Sequence, residues 1–417
     1  MNHSRTSNSV KNSITSITTN ICAILFSFIT QTIFIKTLGI EYLGLNGLFT
    51  NILTMLSLFE LGMGNAIVYH MYKPIAKNDT EKIKSLMRFY RKSYNIIAII
   101  ILALGILISP FITVFVGQLN IDVNIYCIYF LFLLSTVTSY LMIYKRNMLY
   151  ASQKNYIINI IHCVYLILLH IIQLLILYFT KNYYLYLAVK IICQIGENIL
   201  INFVCNIKYP FLLDKDSSKI DKGTEHLIFN KVKSLFFHKI GNIVISATDN
   251  MIISKFLGVV TVGLYTNYYV IINAITTIFS SIITSVTASV GNFIVSENSK
   301  KLYDVFKKVR FCNFWISCFT AISILSLIQP FIEIWIGSEY VIENIVVFVL
   351  TFNFFQKMQR NTYLTFKEAA GIWEKDRFVP IVEAIINIIT SIVLLKIFRL
   401  SWSFFRYNYK RPRCLGL

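Results

Sequence analysis

Between Glu41 and Tyr72 the chain reads EYLGLNGLFTNILTMLSLFELGMGNAIVYHMY, a run too long and too apolar for the helix of a soluble domain. It reads as a membrane span with a polar seam. Along it Asn46, Thr50, Thr54, Ser57 and Glu60 recur every three or four residues. That spacing puts them on one helical face, with Leu, Ile and Phe over the remainder. Glu60 ends the seam near mid-span. A carboxyl in hydrocarbon costs about 2.5–3.5 kcal/mol on insertion scales, so Glu60 is expected to face other helices or a water-filled cavity. The seam therefore predicts a polar interior within a helical bundle.

The rest of the sequence agrees. Mean hydropathy is +0.64 and 56% of residues are hydrophobic, with only 6 prolines, which is the composition of an all-α polytopic membrane protein. Apolar runs place about eleven transmembrane helices, near 14–35, 42–70, 94–116, 122–143, 157–179, 184–207, 240–257, 264–294, 311–336, 341–356 and 379–397. A net charge of +19 would point a soluble chain toward nucleic acid. Here the cations fall in alternate loops: 73–92, 208–233 and 300–310 are rich in Lys and Arg, while 36–41, 117–121, 180–183, 258–263 and 337–340 are short and nearly free of them. The positive-inside tendency makes the basic loops and the N-terminus cytoplasmic, and no nucleic-acid partner is expected. The first span carries no A-x-A-like cleavage site and reads as retained. Eight cysteines, mostly within spans and forming no C-x-x-C pair, predict neither a disulfide framework nor a metal site, and no cofactor is expected.

The chain also repeats itself. Lys36-Thr-Leu-Gly39 through Gly44-Leu45 returns as Lys255-Phe-Leu-Gly258 through Gly263-Leu264, an offset of 219 residues. Ser109-Pro110-Phe111-Ile112 through Gly117 returns as Gln329-Pro330-Phe331-Ile332 through Gly337, an offset of 220, and Arg146-Asn147 returns as Arg360-Asn361. Three landmarks in the same order predict a duplicated unit of about six helices. An even number of spans per copy makes the repeat parallel: two pseudo-symmetric six-helix bundles about an axis along the membrane normal. The expected boundaries are 1–207 for the first bundle, 208–230 for a cytoplasmic linker, and 231–397 for an incomplete second bundle.

Polar seams recur at equivalent places, including Gln31 in span one, Asn250 in span seven and Asn273 in span eight. Spans one, two, seven and eight are therefore expected to line the cleft between the two halves, against the simpler reading that Ser and Thr bond their own helix or pack neighbours closely. Glu60 and Asp249 are the acids expected to be buried in the two halves, as proton carriers or as partners of a basic group. Lys190 and Glu197 share a face of span six with Gln194 between them, which allows an internal ion pair or a snorkelling Lys190. Lys36 and Lys255 are symmetry mates at outer helix ends, placed either to meet an anionic headgroup or to anchor at the interface. His162 and His170 lie on one face of span five without nearby acids to complete a metal set, and read as packing or hydrogen-bonding residues. Asp214-Lys215-Asp216 matches the D-x-D of glycosyltransferases, but it sits in a charged loop with no surrounding α/β domain. No nucleotide-binding glycine loop is present.

With these residues in view the chain resembles the bacterial polysaccharide repeat-unit flippases of the multidrug, oligosaccharidyl-lipid and polysaccharide exporter superfamily. The likeness spans roughly residues 10–397. It is carried by Thr37-Leu38-Gly39 with Tyr42 to Phe49, Glu60-Leu61-Gly62-Met63-Gly64, Asp249-Asn250 before Ile253 to Gly258, and Ala369-Ala370-Gly371 with Asp376-Arg377. The resemblance implies a non-enzymatic transporter of twelve to fourteen spans. It would move an undecaprenyl-diphosphate-linked oligosaccharide of O-antigen or capsule type to the outer leaflet by alternating access. Membrane lipids and the polymerase and chain-length machinery are the implied partners. Lys36, Lys255 and Lys190 would then face the diphosphate, with Gln31, Asn46, Ser57, Asn250 and Asn273 along the sugars and Glu60 or Asp249 coupling an ion. A cation-coupled multidrug or metabolite exporter of the same fold is the alternative, distinguished by an aromatic, acidic cleft. A membrane polymerase or ligase would instead carry a large outer loop, which is not seen before residue 397.

The C-terminal segment departs from the pattern. From Lys396 to Arg413 it loses the character of a span and places basic residues where the topology faces outward, so the mate of span six is missing. A frameshift or truncation is the expectation. Sequencing the DNA beyond the last codon should reveal a reading frame encoding that span, and its absence would remove the idea.

Overall fold

Every secondary-structure element among the described residues is helical, as the apolar runs require. The computed structural model describes residues 2–60, 63–117, 121–141, 143–214, 223–230, 250–285 and 299–369, with isolated positions between 119 and 389. Two compact units emerge from the packing: Met1–Val262 with Phe378–Leu417, and Gly263–Arg377.

The first unit is built from α1 (Asn2–Leu38), α2 (Ile40–Leu56), α3 (Met63–Lys77), α4 (Thr80–Ile108), α5 (Ile112–Val116), α6 (Ile125–Tyr140), α7 (Ile143–Ala151), α8 (Asn155–Phe179) and α9 (Tyr183–Lys208). α1 runs along α8 and is tied to it by polar bonds. Asn12 Nδ2 donates to the Gln153 carbonyl at 3.0 Å and Asn12 Oδ1 accepts from the Tyr156 amide at 2.7 Å. Farther along, Thr19 Oγ1 donates to the Asn159 carbonyl at 3.1 Å and Thr30 Oγ1 meets His170 Nδ1 at 2.8 Å. In lipid such links take over part of the role that apolar burial plays in water, at about 0.6 kcal/mol each on average.

Six described helices are long and apolar enough to cross a membrane, and a seventh span arises if α6 and α7, bent by 42°, act as one. Expected spans 157–179 and 184–207 coincide with α8 and α9. Expected span 42–70 is not one continuous helix: α2 tightens into a 3₁₀ turn at Ser57–Glu60, and α3 starts at Met63. Ser57 Oγ donates back to the Thr54 carbonyl at 2.6 Å, a local bond that competes with regular helix continuation. Expected span 341–356 is the start of a longer helix that becomes polar beyond Asn353. Most of span 240–257, all but isolated positions of 379–397, and the basic tail lie outside the described residues.

The second unit contains most of α10 (Val259–Ser285), with α11 (Ser299–Trp335) and α12 (Asn344–Ala369). Tyr268 on α10 donates to Gln329 Oε1 on α11 at 2.7 Å, and Gln329 Nε2 donates to the Ile342 carbonyl at 2.6 Å. Asn313 Nδ2 crosses from α11 to the Met358 carbonyl on α12 at 2.7 Å.

The duplicated landmarks have matching backbones. Gly39 and Gly258 adopt φ of 99° and 91°, and Gly117 and Gly337 adopt 68° and 122°. These are conformations that side chains with a Cβ rarely take, so both copies turn at glycine where a helix ends. Asn147 donates from α7 to the Tyr90 hydroxyl on α4, and its counterpart Asn361 donates from α12 to Ser280 Oγ on α10 at 2.9 Å.

The linker is held against the start of α4. Lys84 Nζ sits 3.0 Å from both Glu81 and Asp214, and Lys82 lies 3.9 Å from Asp221. Asp214, the first acid of the D-x-D triplet, is thereby engaged, whereas Lys215 and Asp216 lie outside the described residues. Asp221 caps the following helical turn by accepting from the Thr224 amide at 2.8 Å. That bond holds its carboxyl below the usual carboxylate range.

α2 also approaches the start of α10 very closely. A Cβ at Gly44 would collide with the Val259 carbonyl oxygen. Gly44→Ala should therefore lower the melting temperature in detergent, with overpacking costing about 1–3 kcal/mol. Unchanged thermal unfolding would show that this contact does not constrain the fold.

Candidate functional site

The polar seam of α2 opens onto a cavity of about 290 Å³ inside the first unit. α2 and its 3₁₀ turn contribute Thr50, Leu53, Thr54 and Ser57. α6 contributes Phe132, Ser135, Thr136, Ser139 and Tyr140, and α9 contributes Lys190 and Gln194. Small hydroxyl residues at these facing positions leave the space that larger side chains would fill.

The hydrogen-bond pattern decides what this wall offers. Thr54 donates to the Thr50 carbonyl at 2.7 Å, Thr136 to the Phe132 carbonyl at 3.0 Å, and Ser139 to the Thr136 carbonyl at 2.6 Å. Ser57 does the same toward Thr54. Each hydroxyl gives its proton to its own helix and turns lone pairs toward the cavity. On α2 the simple reading of the seam holds, since Thr54 and Ser57 bond their own helix, and the same two residues border this cavity of the first unit. Ser135 Oγ donates to Gln194 Oε1 at 3.1 Å and Gln194 Nε2 returns a bond to the Ser135 carbonyl at 3.2 Å, fixing the amide across α6 and α9.

Lys190 is the charged residue of the lining. Its ammonium lies 5.7 Å from the centre of the Phe132 ring. No carboxylate among the described residues pairs with it. The ion pair with Glu197 that the sequence allowed is not formed, because Glu197 is turned the other way. It receives Arg146 from α7 and lies 2.9 Å from His162 Nδ1 on α8.

Glu60 sits at the end of the 3₁₀ turn and accepts a hydrogen bond from Tyr94 at 2.7 Å. Tyr94 packs edge-on against Tyr90 at 4.6 Å and its ring lies 6.1 Å from that of Tyr140, which borders the cavity. Gly64 permits this arrangement: a Cβ there would stand 2.7 Å from the Tyr94 hydroxyl and 2.9 Å from that of Tyr90. Glu60 and Gly64 in the same short motif thus serve one cluster, the acid as acceptor and the glycine as the space for its donor.

The remaining sequence candidates are distributed. Asn46 accepts from Tyr183 at 2.8 Å near the opposite end of α2. Gln31 is buried on α1. Asn250 is buried and its Nδ2 donates to the Gly47 carbonyl at 3.4 Å. Lys36 and Lys255 are exposed at helix ends, and Asn273 is exposed on α10. Asp249 lies outside the described residues. Of these candidates, Ser57 and Lys190 line the cavity, and no other candidate among the described residues does.

Sequence reasoning missed the α6 side of the cavity and the Arg146–Glu197–His162 group. Ser135, Thr136 and Ser139 carry the same spacing as the α2 seam, so a signal was present. His162 finds an acid after all, but nothing in its sequence spacing identifies a residue 35 positions away as its partner. Glu197 is 6% exposed, so removing it strands a cation between helices. Glu197→Leu should destabilise the protein by about 3 kcal/mol, the lower end for a broken buried pair because Arg146 keeps some solvent or headgroup access. The double change with Arg146→Met should recover much of that loss in thermal unfolding. An equally unstable double variant would rule out the pair as the cause.

Comparison with known proteins adds a family and a fold. The profile of a family described as polysaccharide biosynthesis protein matches residues 9–288. No curated protein matches the chain. Among solved structures, it is similar to an inward-facing multidrug resistance MATE family transporter of the MOP superfamily. The TM-score is 0.58 at 12% identity, covering 92% of this chain and 96% of that one. It is also similar to a mutant of a Vibrio cholerae MATE transporter, with TM-score 0.52 at 13% identity, covering 94% of this chain and 98% of that one.

Proposed function

The chain belongs to the polysaccharide biosynthesis protein family, and from that premise we infer that it carries a lipid-linked oligosaccharide across the membrane. It is a multi-pass membrane protein with a transporter's fold rather than an enzyme. The cavity is the observation that supports the finer reading. Thr54, Ser57, Thr136 and Ser139 spend their protons on their own helices and are left as acceptors, which suits the hydroxyl donors of sugars, and the ammonium suits an anionic oxygen. An undecaprenyl-diphosphate-linked repeat unit presents both, with the polyprenyl chain left in the bilayer.

On this reading residues 1–207 and 231–397 act as two lobes joined by the linker, and alternating access carries the glycan from the cytoplasmic to the outer leaflet. Lys190 holds a negative group of the cargo. Glu60, beside the cavity and bonded to Tyr94, is the coupling carboxyl of the first lobe. A protonated Glu60 would keep its place in the cluster while shedding charge, so proton binding and cavity potential are linked there. The alternative, export of cationic drugs or metabolites, asks for acidic lining. The residues around this cavity include a lysine and no carboxylate.

The leaflet distribution of lipid-linked oligosaccharide, measured in cells lacking the gene, tests this. Restoring the protein should relieve inner-leaflet accumulation. Lys190→Gln and Glu60→Gln should each reduce flipping at least tenfold with normal expression, the effect of losing about 1.4 kcal/mol from a rate-limiting interaction. Normal flipping by Glu60→Gln would remove that residue from the mechanism. Failure of every version to restore export of the glycan would favour the multidrug reading.

A further inference from the structure

A second gathering of cations lies away from the cavity, at the end of the first unit where α4 begins and α9 finishes. The ring of Tyr144 on α7 has two cations beside it: Arg91 of α4 at 5.9 Å and Lys145 at 5.8 Å from the ring centre. Lys145 Nζ donates to Asn206 Oδ1 on α9 at 2.6 Å. Three residues on, Tyr209 carries Lys154 over its ring at 4.8 Å. Lys145 and Lys154 both lie within electrostatic reach of the intervening Cys205. Four segments thus converge on one polar patch. None of Arg91, Lys145 and Lys154 pairs with a carboxylate among the described residues.

Like charges held together without a counter-ion raise the energy of a fold unless something outside the chain supplies the anion. An orphan donor points the same way: Tyr209 Oη, on the ring that carries Lys154, is buried without a hydrogen-bond partner, and such a donor favours a ligand that accepts from it. Beside this end, Leu200, Phe203 and Ile207 form an exposed apolar stripe on α9, with 53%, 61% and 62% of their surfaces open. The combination is a polar, cationic head site next to a greasy wall.

We propose that Arg91, Lys145, Lys154 and Tyr209 form a binding site for the phosphate headgroup of an anionic phospholipid in the cytoplasmic leaflet. The basic loops put this end of the unit on the cytoplasmic side, where anionic lipids attract juxtamembrane Lys and Arg. The acyl chains lie along Leu200, Phe203 and Ile207. Phosphate oxygens accept from the ammonium groups, the guanidinium and the orphan Tyr209 hydroxyl. No residue of this site lines the cavity, so the lipid is a resident of the flank and not the cargo.

Native mass spectrometry of the detergent-purified chain tests the assignment with three probes: phosphatidylglycerol, phosphatidylcholine and undecaprenyl diphosphate. Phosphatidylglycerol should be retained over phosphatidylcholine. Lys145→Gln and Lys154→Gln should each cut that retention about fivefold, while Lys300→Gln in the second unit leaves it unchanged. Tyr209→Phe keeps the ring and removes only the hydroxyl, so a loss of retention there cannot be assigned to misfolding or to bulk charge. Retention equal to that of the parent in all three site variants overturns the proposal. So does a site that takes undecaprenyl diphosphate in preference to phosphatidylglycerol, since that assigns the patch to the transport path.

Discussion

A hydroxyl placed in hydrocarbon must dispose of its proton, and the nearest acceptor is the carbonyl one turn back on its own helix. In the first unit this rule governs Thr50–Thr54–Ser57 on α2 and Phe132–Thr136–Ser139 on α6. Because the protons point along the helices, the lone pairs point into the space between them. The same bonding tightens α2 into the 3₁₀ turn that carries Glu60 toward Tyr94. Cavity chemistry, helix geometry and the position of the acid thus follow from one local preference.

Charge in the same unit is arranged in three ways. Glu197 is fully engaged by Arg146 and His162 and acts as a structural joint between α7, α8 and α9. Lys190 has a roomy polar cavity and an aromatic ring but no acid. At the end of the bundle Arg91 and Lys145 share the Tyr144 ring, and Lys154 lies over Tyr209. The first arrangement is complete within the chain. The other two have capacity for an anion, one inside the unit and one on its flank.

Much of this architecture was legible in the amino-acid order because hydrophobic length and period are local properties. α8 and α9 fall where the apolar runs put them, and the glycines of the repeat turn the backbone where the alignment of the halves pairs them. The α2 seam was readable for the same reason. What was not readable depends on which helix meets which. Span 42–70 looked continuous because its composition is continuous, while the turn at Ser57 comes from side-chain bonding. Glu197 looked like a partner for Lys190 because they share a face, but the choice was made by α7 and α8 approaching from the other side. Asn147 and Asn361 were found as landmarks, and their shared role as donors to a neighbouring helix appeared only in three dimensions.

Four lining hydroxyls spend their protons on their own helices, the Gln194 amide is tied to α6, and Lys190 brings an ammonium without a carboxylate among the lining residues. Of two molecules of equal size, the negatively charged one would enter this space at the lower electrostatic cost.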